Sequence, residues 1–145
     1  MIELPQFILV EDSDEDADTV QQAVLRCKTP MRLTRVSSGD ACLLLLQQQT
    51  RGEFPALVLM DLNMPGMDGR ETLRLIKSNP SLATIPVVVV STSANPRDLE
   101  YCYRAGANAY HVKPMRYTDH LEAMVAVLDY WLDRVVAQPG RRPLP

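Results

Sequence analysis

Three short, unbroken apolar runs decide what this chain can fold into: Phe7-Ile8-Leu9-Val10, Ala56-Leu57-Val58-Leu59-Met60 and Pro86-Val87-Val88-Val89-Val90. A strand with one wet face alternates apolar and polar residues. A run without alternation belongs to a strand covered on both sides. Met31–Val36 is more polar but β-compatible, as an edge strand would be, and Ala109–Val112 is a short strand halted by Pro114. Helical periodicity fills the intervals. Glu15 to about Cys27 places Ala17, Val20, Ala23 and Val24 near one face, and Ser38 can N-cap a helix running through Leu46. Gly69 to Ser78 reads as a helix closed by Asn79-Pro80, and Pro96 starts a helix that Ala105-Gly106 ends. Thr118 or Asp119 opens a last helix through Val136. Five strands alternating with five helices predict a parallel α/β sheet with helices on both faces.

Composition excludes several alternatives. The chain has 145 residues, 46% hydrophobic and 23% charged, enough for one domain with a real core and too apolar for disorder throughout. A formal net charge of −3 leaves no basic excess to displace counterions from nucleic-acid phosphates. Cys27, Cys42 and Cys102 are odd in number and widely spaced, so they read as buried thiols of a reducing cytoplasm, without a disulfide framework or a zinc site. Met1-Ile2-Glu3-Leu4-Pro5 has no basic and apolar leader pattern, and no apolar run is long enough to span a bilayer. Residues 5–137 are expected to form the domain, with 138–145 a short Pro/Arg-rich tail and no output domain attached.

Polar residues cluster where such a sheet binds ligands, beyond the carboxyl ends of its strands. The first strand ends in Glu11-Asp12, the third in Asp61 and the fourth in Ser91-Thr92, and Lys113 follows the fifth. Each alone has an ordinary explanation as a cap, an Asx turn or a solvated loop residue. Together they describe one crevice. Converging carboxylates repel each other, and a hard divalent cation with oxygen ligands and retained waters relieves that repulsion, which points to Mg²⁺. A lysine and a hydroxyl across the pocket suit a phosphoryl group. The combined chemistry is phosphoryl transfer.

Val10-Glu11-Asp12-Ser13, Met60-Asp61-Leu62-Asn63-Met64-Pro65-Gly66-Met67-Asp68-Gly69, Ser91 and Lys113-Pro114 resemble the signature of response-regulator receiver domains. The spacing from Ser91 to Lys113 is 113 − 91 = 22 residues, which matches the family and selects Ser91 over Thr92 as the hydroxyl. The resemblance implies a flavodoxin-like strand order 2-1-3-4-5. It implies that Asp61 accepts the phosphoryl group from a sensor histidine kinase, so the chain is a phosphoacceptor and not an enzyme in its own right. Asp12, Asp61 and the Asn63 backbone carbonyl would bind Mg²⁺, with Glu11 contributing directly or through water. Lys113 would pair with the phosphoryl oxygens and Ser91 would hydrogen-bond one of them. Lys113-Pro114 falls where the family carries a cis peptide. Tyr110 takes the place of the switching aromatic, turning inward as Ser91 moves toward the phosphoryl group. Tyr101 and Tyr103 read as surface or packing residues, and His111 and His120 as ordinary polar positions.

Asp68-Gly69-Arg70-Glu71-Thr72-Leu73, the run Pro86–Val90 with Ser91-Thr92-Ser93, and Tyr130-Trp131-Leu132 resemble the small receivers associated with bacterial and cyanobacterial phytochromes. Met64-Pro65-Gly66-Met67 departs from that subgroup's commoner Leu-Pro-Lys-type turn. A bacteriophytochrome is therefore the expected kinase. Two rivals come from other classes: a degenerate receiver-like docking module, and a haloacid-dehalogenase-type Mg²⁺ phosphohydrolase. The second would need an acid two residues after Asp61, where Asn63 stands.

On the last helix, Leu121, Met124, Val125, Leu128, Trp131, Leu132 and Val135 form a stripe sufficient for docking on the sheet. A shoulder of Ala123, Val127 and Tyr130, flanked by Arg134, is left over. The resemblance assigns it to a homodimer through the face of helix four, strand five and helix five, with the tail after Val136 reaching across to the partner.

Overall fold

The computed structural model describes residues 4–64 and 68–135. Its sheet contains β1 (Gln6–Val10), β2 (Arg32–Val36), β3 (Leu57–Met60), β4 (Val87–Ser91) and β5 (Ala109–Val112). All neighbours pair in parallel, in the expected order β2-β1-β3-β4-β5. The unbroken apolar runs form the inner strands, and every residue of β3 and β4 is buried. The more polar β2 lies at an edge, bonded only to β1.

Side-chain alternation along the strands divides the core into two layers. Ile8, Val10, Val58, Met60, Val87 and Val89 pack with α2 (Gly39–Gln48), α3 (Gly69–Ser78) and α4 (Pro96–Ala105), through Leu46, Leu73, Ile76 and Cys102. Phe7, Leu9, Leu57, Leu59, Val88 and Val90 pack on the other face with α1 (Asp14–Arg26) and α5 (Tyr117–Asp129), through Val20, Ala23, Met124 and Leu128. Local caps set the helix starts. Ser13, Ser38, Asp68 and Asn95 side chains accept from the Asp16, Ala41, Glu71 and Arg97 backbone N–H groups. Gly106, at φ 107°, ends α4 in the left-handed conformation that favours glycine.

The expected last helix through Val136 is not what forms. Tyr117 opens α5, with Arg116 at the cap position and no side-chain cap bond. The helix stops at Asp129, Tyr130–Arg134 make one π turn, and Val135 is extended. The Val135 N–H donates to the Tyr130 carbonyl at 3.0 Å, a wider register than an α turn. Within that turn Leu132 stays in the core with Leu128, while Tyr130 and Trp131 meet edge to face with centroids 5.7 Å apart. Ser91 is the last residue of β4, at the expected strand end. Cys42 and Cys102 are buried as expected, but Cys27 is only half-buried, at the C-cap of α1. No described helix is long and apolar enough to cross a membrane. Pro65–Met67 and the tail 138–145 lie outside the described residues.

One glycine fixes the distance between α3 and the end of β3. The Gly69 N–H donates to the Leu62 carbonyl at 2.9 Å. A Cβ on Gly69 would lie 2.3 Å from the Asp61 carbonyl oxygen and 2.7 Å from the Leu62 Cα. Gly69→Ala is therefore expected to displace the backbone that carries Asp61 and to destabilise the domain by roughly 1–3 kcal/mol. Gly52→Ala, where nothing lies within 4 Å, serves as the neutral control. Equal urea midpoints for the two variants would refute this close approach.

Candidate functional site

The sheet order reverses between β1 and β3, so the crevice beyond their carboxyl ends is the natural ligand position. Strand pairing continues one residue into it. The Glu11 N–H donates to the Val36 carbonyl and the Asp61 N–H to the Val10 carbonyl, each at 3.0 Å. These bonds hold both acids on rigid backbone. Carboxylate oxygens of Glu11, Asp12 and Asp61 all come within 4.8 Å of one another. Glu11 is buried, with 5% of its side chain exposed, Asp61 shows 11%, and Asp12 faces solvent. Three hard oxygen donors, one still wet, match the incomplete protein coordination that a small divalent cation accepts.

Lys113 comes from the end of β5, where its N–H donates to the Ser91 carbonyl at 2.6 Å. Its side chain is only 8% exposed. The Nζ donates to Asp16 Oδ2 at 2.7 Å and Glu11 Oε1 at 3.1 Å, and stands 4.0 Å from Asp61 Oδ1. Burial disfavours the ammonium, but the Asp16 hydrogen bond and the Glu11 and Asp61 charges outweigh it and hold the lysine above its ordinary pKa. Burial and the neighbouring Asp61 charge push Glu11 up to about 7, against the opposing pull of Lys113. Asp61 is raised as well, chiefly by burial, although Lys113 counters it. Two acids that resist ionising together mark a site short of positive charge.

The hydroxyl side of the crevice is organised around Ser93. Ser91 is fully buried, and its Oγ accepts from the Ser93 N–H at 3.1 Å. Ser93 Oγ donates to Asp98 Oδ2 at 2.6 Å, and Asp98 Oδ1 accepts from Arg70 Nε and Nη2 at 3.2 and 2.8 Å. Tyr110 is half-buried, and its hydroxyl donates to the Ser93 carbonyl at 2.7 Å. Asn63 places its N–H 3.5 Å from Asp61 Oδ1, a long and weak contact.

The expected residues Glu11, Asp12, Asp61 and Lys113 thus meet in one crevice. Asp16 was not anticipated, because an acid in the first turn of a helix looks like an ordinary dipole partner. His120, read as an ordinary polar position, is buried at 6% exposure, and burial lowers its pKa. All described peptides are trans, including Lys113–Pro114. On α5 the expected shoulder is only partly real. Val127 is 5% exposed and belongs to the core, since the helix buries a wider face than one stripe. Ala123 is half-buried, and Tyr130 and Arg134 are exposed. A groove of about 590 Å³ runs beside Tyr130 between β5 and α5, lined in part by His111, Ala123, Ala126 and Trp131.

The sequence matches the family profile of the response regulator receiver domain over residues 7–126. It is 38% identical over 134 residues to the response regulator Rcp1 of Synechocystis sp., covering 89% of this chain and 90% of that protein. The Mn²⁺-bound form of Rcp1 superposes with a TM-score of 0.86 at 36% identity, over 92% of this chain and 99% of that one. The phosphorylated cyanobacterial phytochrome response regulator RcpA also gives 0.86, at 33% identity, over 93% and 99% of the two chains.

The raised acid pKa values predict how stability depends on pH in metal-free buffer. Between 4.5 and about 7 the folded chain keeps a proton on Glu11 that the unfolded chain has lost. The stability this group adds is complete below 4.5 and disappears as pH rises through about 7. Asp61 pulls in the same direction. Glu11→Gln should flatten the decline between pH 5 and 8, by on the order of 1–3 kcal/mol across the range. Urea titrations in the presence of a chelator measure it, and an unchanged slope would contradict the assignment.

Proposed function

The chain belongs to the response regulator receiver domain family, and on that premise we propose that it accepts a phosphoryl group on Asp61 from a sensor histidine kinase, with Mg²⁺ bound alongside. The observation that carries the proposal is the convergence of Glu11, Asp12 and Asp61 with Lys113 at the switch point of the sheet. In the transfer, an Asp61 carboxylate oxygen bonds to phosphorus as the bond between phosphorus and the donor histidine nitrogen breaks. Lys113 donates to the phosphoryl oxygens, and the Ser91 hydroxyl hydrogen-bonds one of them. Glu11, Asp12, Asp61 and the Asn63 carbonyl are the proposed metal ligands; bound Mg²⁺ supplies charge neutralisation at the transferring group. The protein's own contribution is positioning on backbone held by β1, β3 and β5.

The kinase is proposed to be a bacteriophytochrome. Support comes from the local resemblance of residues 68–73, 86–93 and 130–132 and from the description of RcpA as a phytochrome response regulator. A haloacid-dehalogenase-type hydrolase is disfavoured by Asn63, which cannot exchange a proton as an acid would. A degenerate docking module is disfavoured by the complete set of acids, lysine and hydroxyl. The setting is cytoplasmic on this reading, consistent with three free thiols whose burial pushes their pKa values to about 11 or 12.

Output passes through protein contacts, and Ser91 and Tyr110 form the proposed switch, because both reach Ser93. The proposed partner surface is a second copy on the face of α4, β5 and α5. Its support is the apolar groove that Ala123 and exposed Tyr130 help to line, and exposed Arg134, one turn after Tyr130, is included in the proposed surface. The tail 138–145, proposed to reach across, lies outside the described residues.

Wild-type protein incubated with a phosphorylated phytochrome-type kinase and Mg²⁺ should gain one base-labile phosphoryl group, and Asp61→Asn should gain none. Label persisting in Asp61→Asn would sink the acceptor assignment; transfer from unrelated histidine kinases at an equal rate would sink the kinase assignment. Asp12→Ala should weaken Mg²⁺ binding more than Lys113→Ala, because it removes a charged oxygen ligand while the lysine opposes the cation. For the dimer, Ala126→Glu with Tyr130→Glu places charge at exposed groove positions and spares buried Val127. Sedimentation should show monomers with phosphorylation intact; a wild type that stays monomeric at high concentration would remove this surface.

A further inference from the structure

We infer that Asp16 is a positioning residue for the phosphoryl site: its carboxylate holds the Lys113 ammonium away from Asp61 and releases it when an anion arrives there. The inference rests on Asp61 being the acceptor. Of the three carboxylates around Lys113 Nζ, Asp16 is nearest at 2.7 Å, Glu11 follows at 3.1 Å, and Asp61 at 4.0 Å is beyond hydrogen-bond reach. The lysine is therefore parked on the α1 side of the crevice. Asp16 is fixed there by its place in the first turn of α1, where its own N–H donates to Ser13 Oγ at 3.3 Å. It stands outside the trio of carboxylates that converge on the cation position.

Exposure decides which partner Lys113 gives up. A phosphoryl group on Asp61 carries more negative charge than the carboxylate it replaces, so it draws the ammonium across the short remaining gap. Glu11, with 5% of its side chain exposed, has little water to replace the lysine as its hydrogen-bond partner. Asp16 shows 32% and can be rehydrated when the lysine departs. The swing thus runs from Asp16 toward Asp61, with Glu11 retained as the pivot. Asp16 then competes directly with the incoming anion for one ammonium. It also favours a bound cation, because it keeps the positive charge of Lys113 at a distance.

Removing Asp16 should therefore have opposite effects on the two ligands. Asp16→Ala is expected to tighten beryllofluoride binding at saturating Mg²⁺ and to weaken Mg²⁺ binding without beryllofluoride, each by roughly 3- to 10-fold. Asp16→Asn, which keeps an acceptor but loses the charge, should fall between it and wild type. In ¹⁵N-lysine spectra the chain has three lysines, Lys28, Lys77 and Lys113, so the Lys113 signal is readily followed. In Asp16→Ala without ligand that signal should already lie toward its beryllofluoride-bound position in wild type. Glu15→Ala, an exposed acid one residue earlier, controls for charge acting through solvent. Loss of affinity for both ligands, no change in either, or an equal effect of Glu15→Ala would overturn the inference alone. A wild type that takes up neither beryllofluoride nor phosphoryl at Asp61 would overturn the acceptor reading and this inference with it.

Discussion

The ammonium of Lys113 is the interaction on which the crevice depends. A parallel sheet brings the carboxyl ends of its strands together, and here those ends carry Glu11, Asp12 and Asp61, with Asp16 one turn further on. Ionised carboxylates removed from water at this spacing are unfavourable by several kcal/mol in rough terms. Lys113 offsets that penalty because its own burial is compensated by two close acceptors. The compensation is incomplete. One cation among four acids leaves Glu11 and Asp61 with raised pKa values, and the remaining shortage of positive charge is what a divalent ion corrects. Incomplete neutralisation thus leaves the crevice receptive to a cation. A fully paired cluster would have no use for a metal.

A second network ties the crevice to the helices that face outward. Ser93 receives a bond from the Tyr110 hydroxyl, donates one to Asp98, and is itself bonded through its N–H to Ser91. Asp98 continues to Arg70 on α3, so that α3, α4 and β5 converge on one loop residue. Arg70 and Asp98 are 30% and 22% exposed at the side chain, dry enough for their pair to hold geometry better than a surface ion pair. Ser91, Tyr110 and the Arg70–Asp98 pair are therefore joined through Ser93.

How far the sequence revealed this depends on the range of the interaction. Strand runs, caps and turns are local, so Ala109–Val112, Gly69–Ser78 and Pro96–Ala105 were readable to the residue. The four site residues at strand ends were readable because sheet topology alone brings strand ends together. Asp16 was not, since its partner is a lysine 97 residues away in sequence. Ser93 and Asp98 were hidden for the same reason, as ordinary loop and helix polar residues until Arg70 and Tyr110 are placed beside them. The end of α5 failed differently. An α-helical wheel assumes a constant 100° per residue, and the π turn at Tyr130–Arg134 breaks that assumption, while the breadth of the buried face takes in Val127.

The two networks occupy opposite faces of the sheet, and strand parity explains why. Phe7 and Leu9, Leu57 and Leu59, and Ala109 point to the layer of α1 and α5. Counting on in twos reaches Glu11, Asp61 and Lys113, each still held by a sheet-type backbone bond. The charged cluster therefore inclines toward α1, which is where Asp16 meets the lysine. Val87 and Val89 point to the layer of α2, α3 and α4, and Tyr110 packs there too. Counting on from Val89 reaches Ser91, so the hydroxyl and the aromatic share the face on which Ser93, Asp98 and Arg70 connect. The charged groups thus gather on one side of the sheet and the hydroxyl network on the other. Asp61, at the end of a central strand, stands on the charged side, 4.0 Å from the Lys113 Nζ. A one-residue shift of β5 against β4 would exchange Lys113 and Tyr110 between faces and separate each from its partners. The pairing of Ser91 with Val112, continued by the 2.6 Å bond from the Lys113 N–H to the Ser91 carbonyl, prevents that exchange.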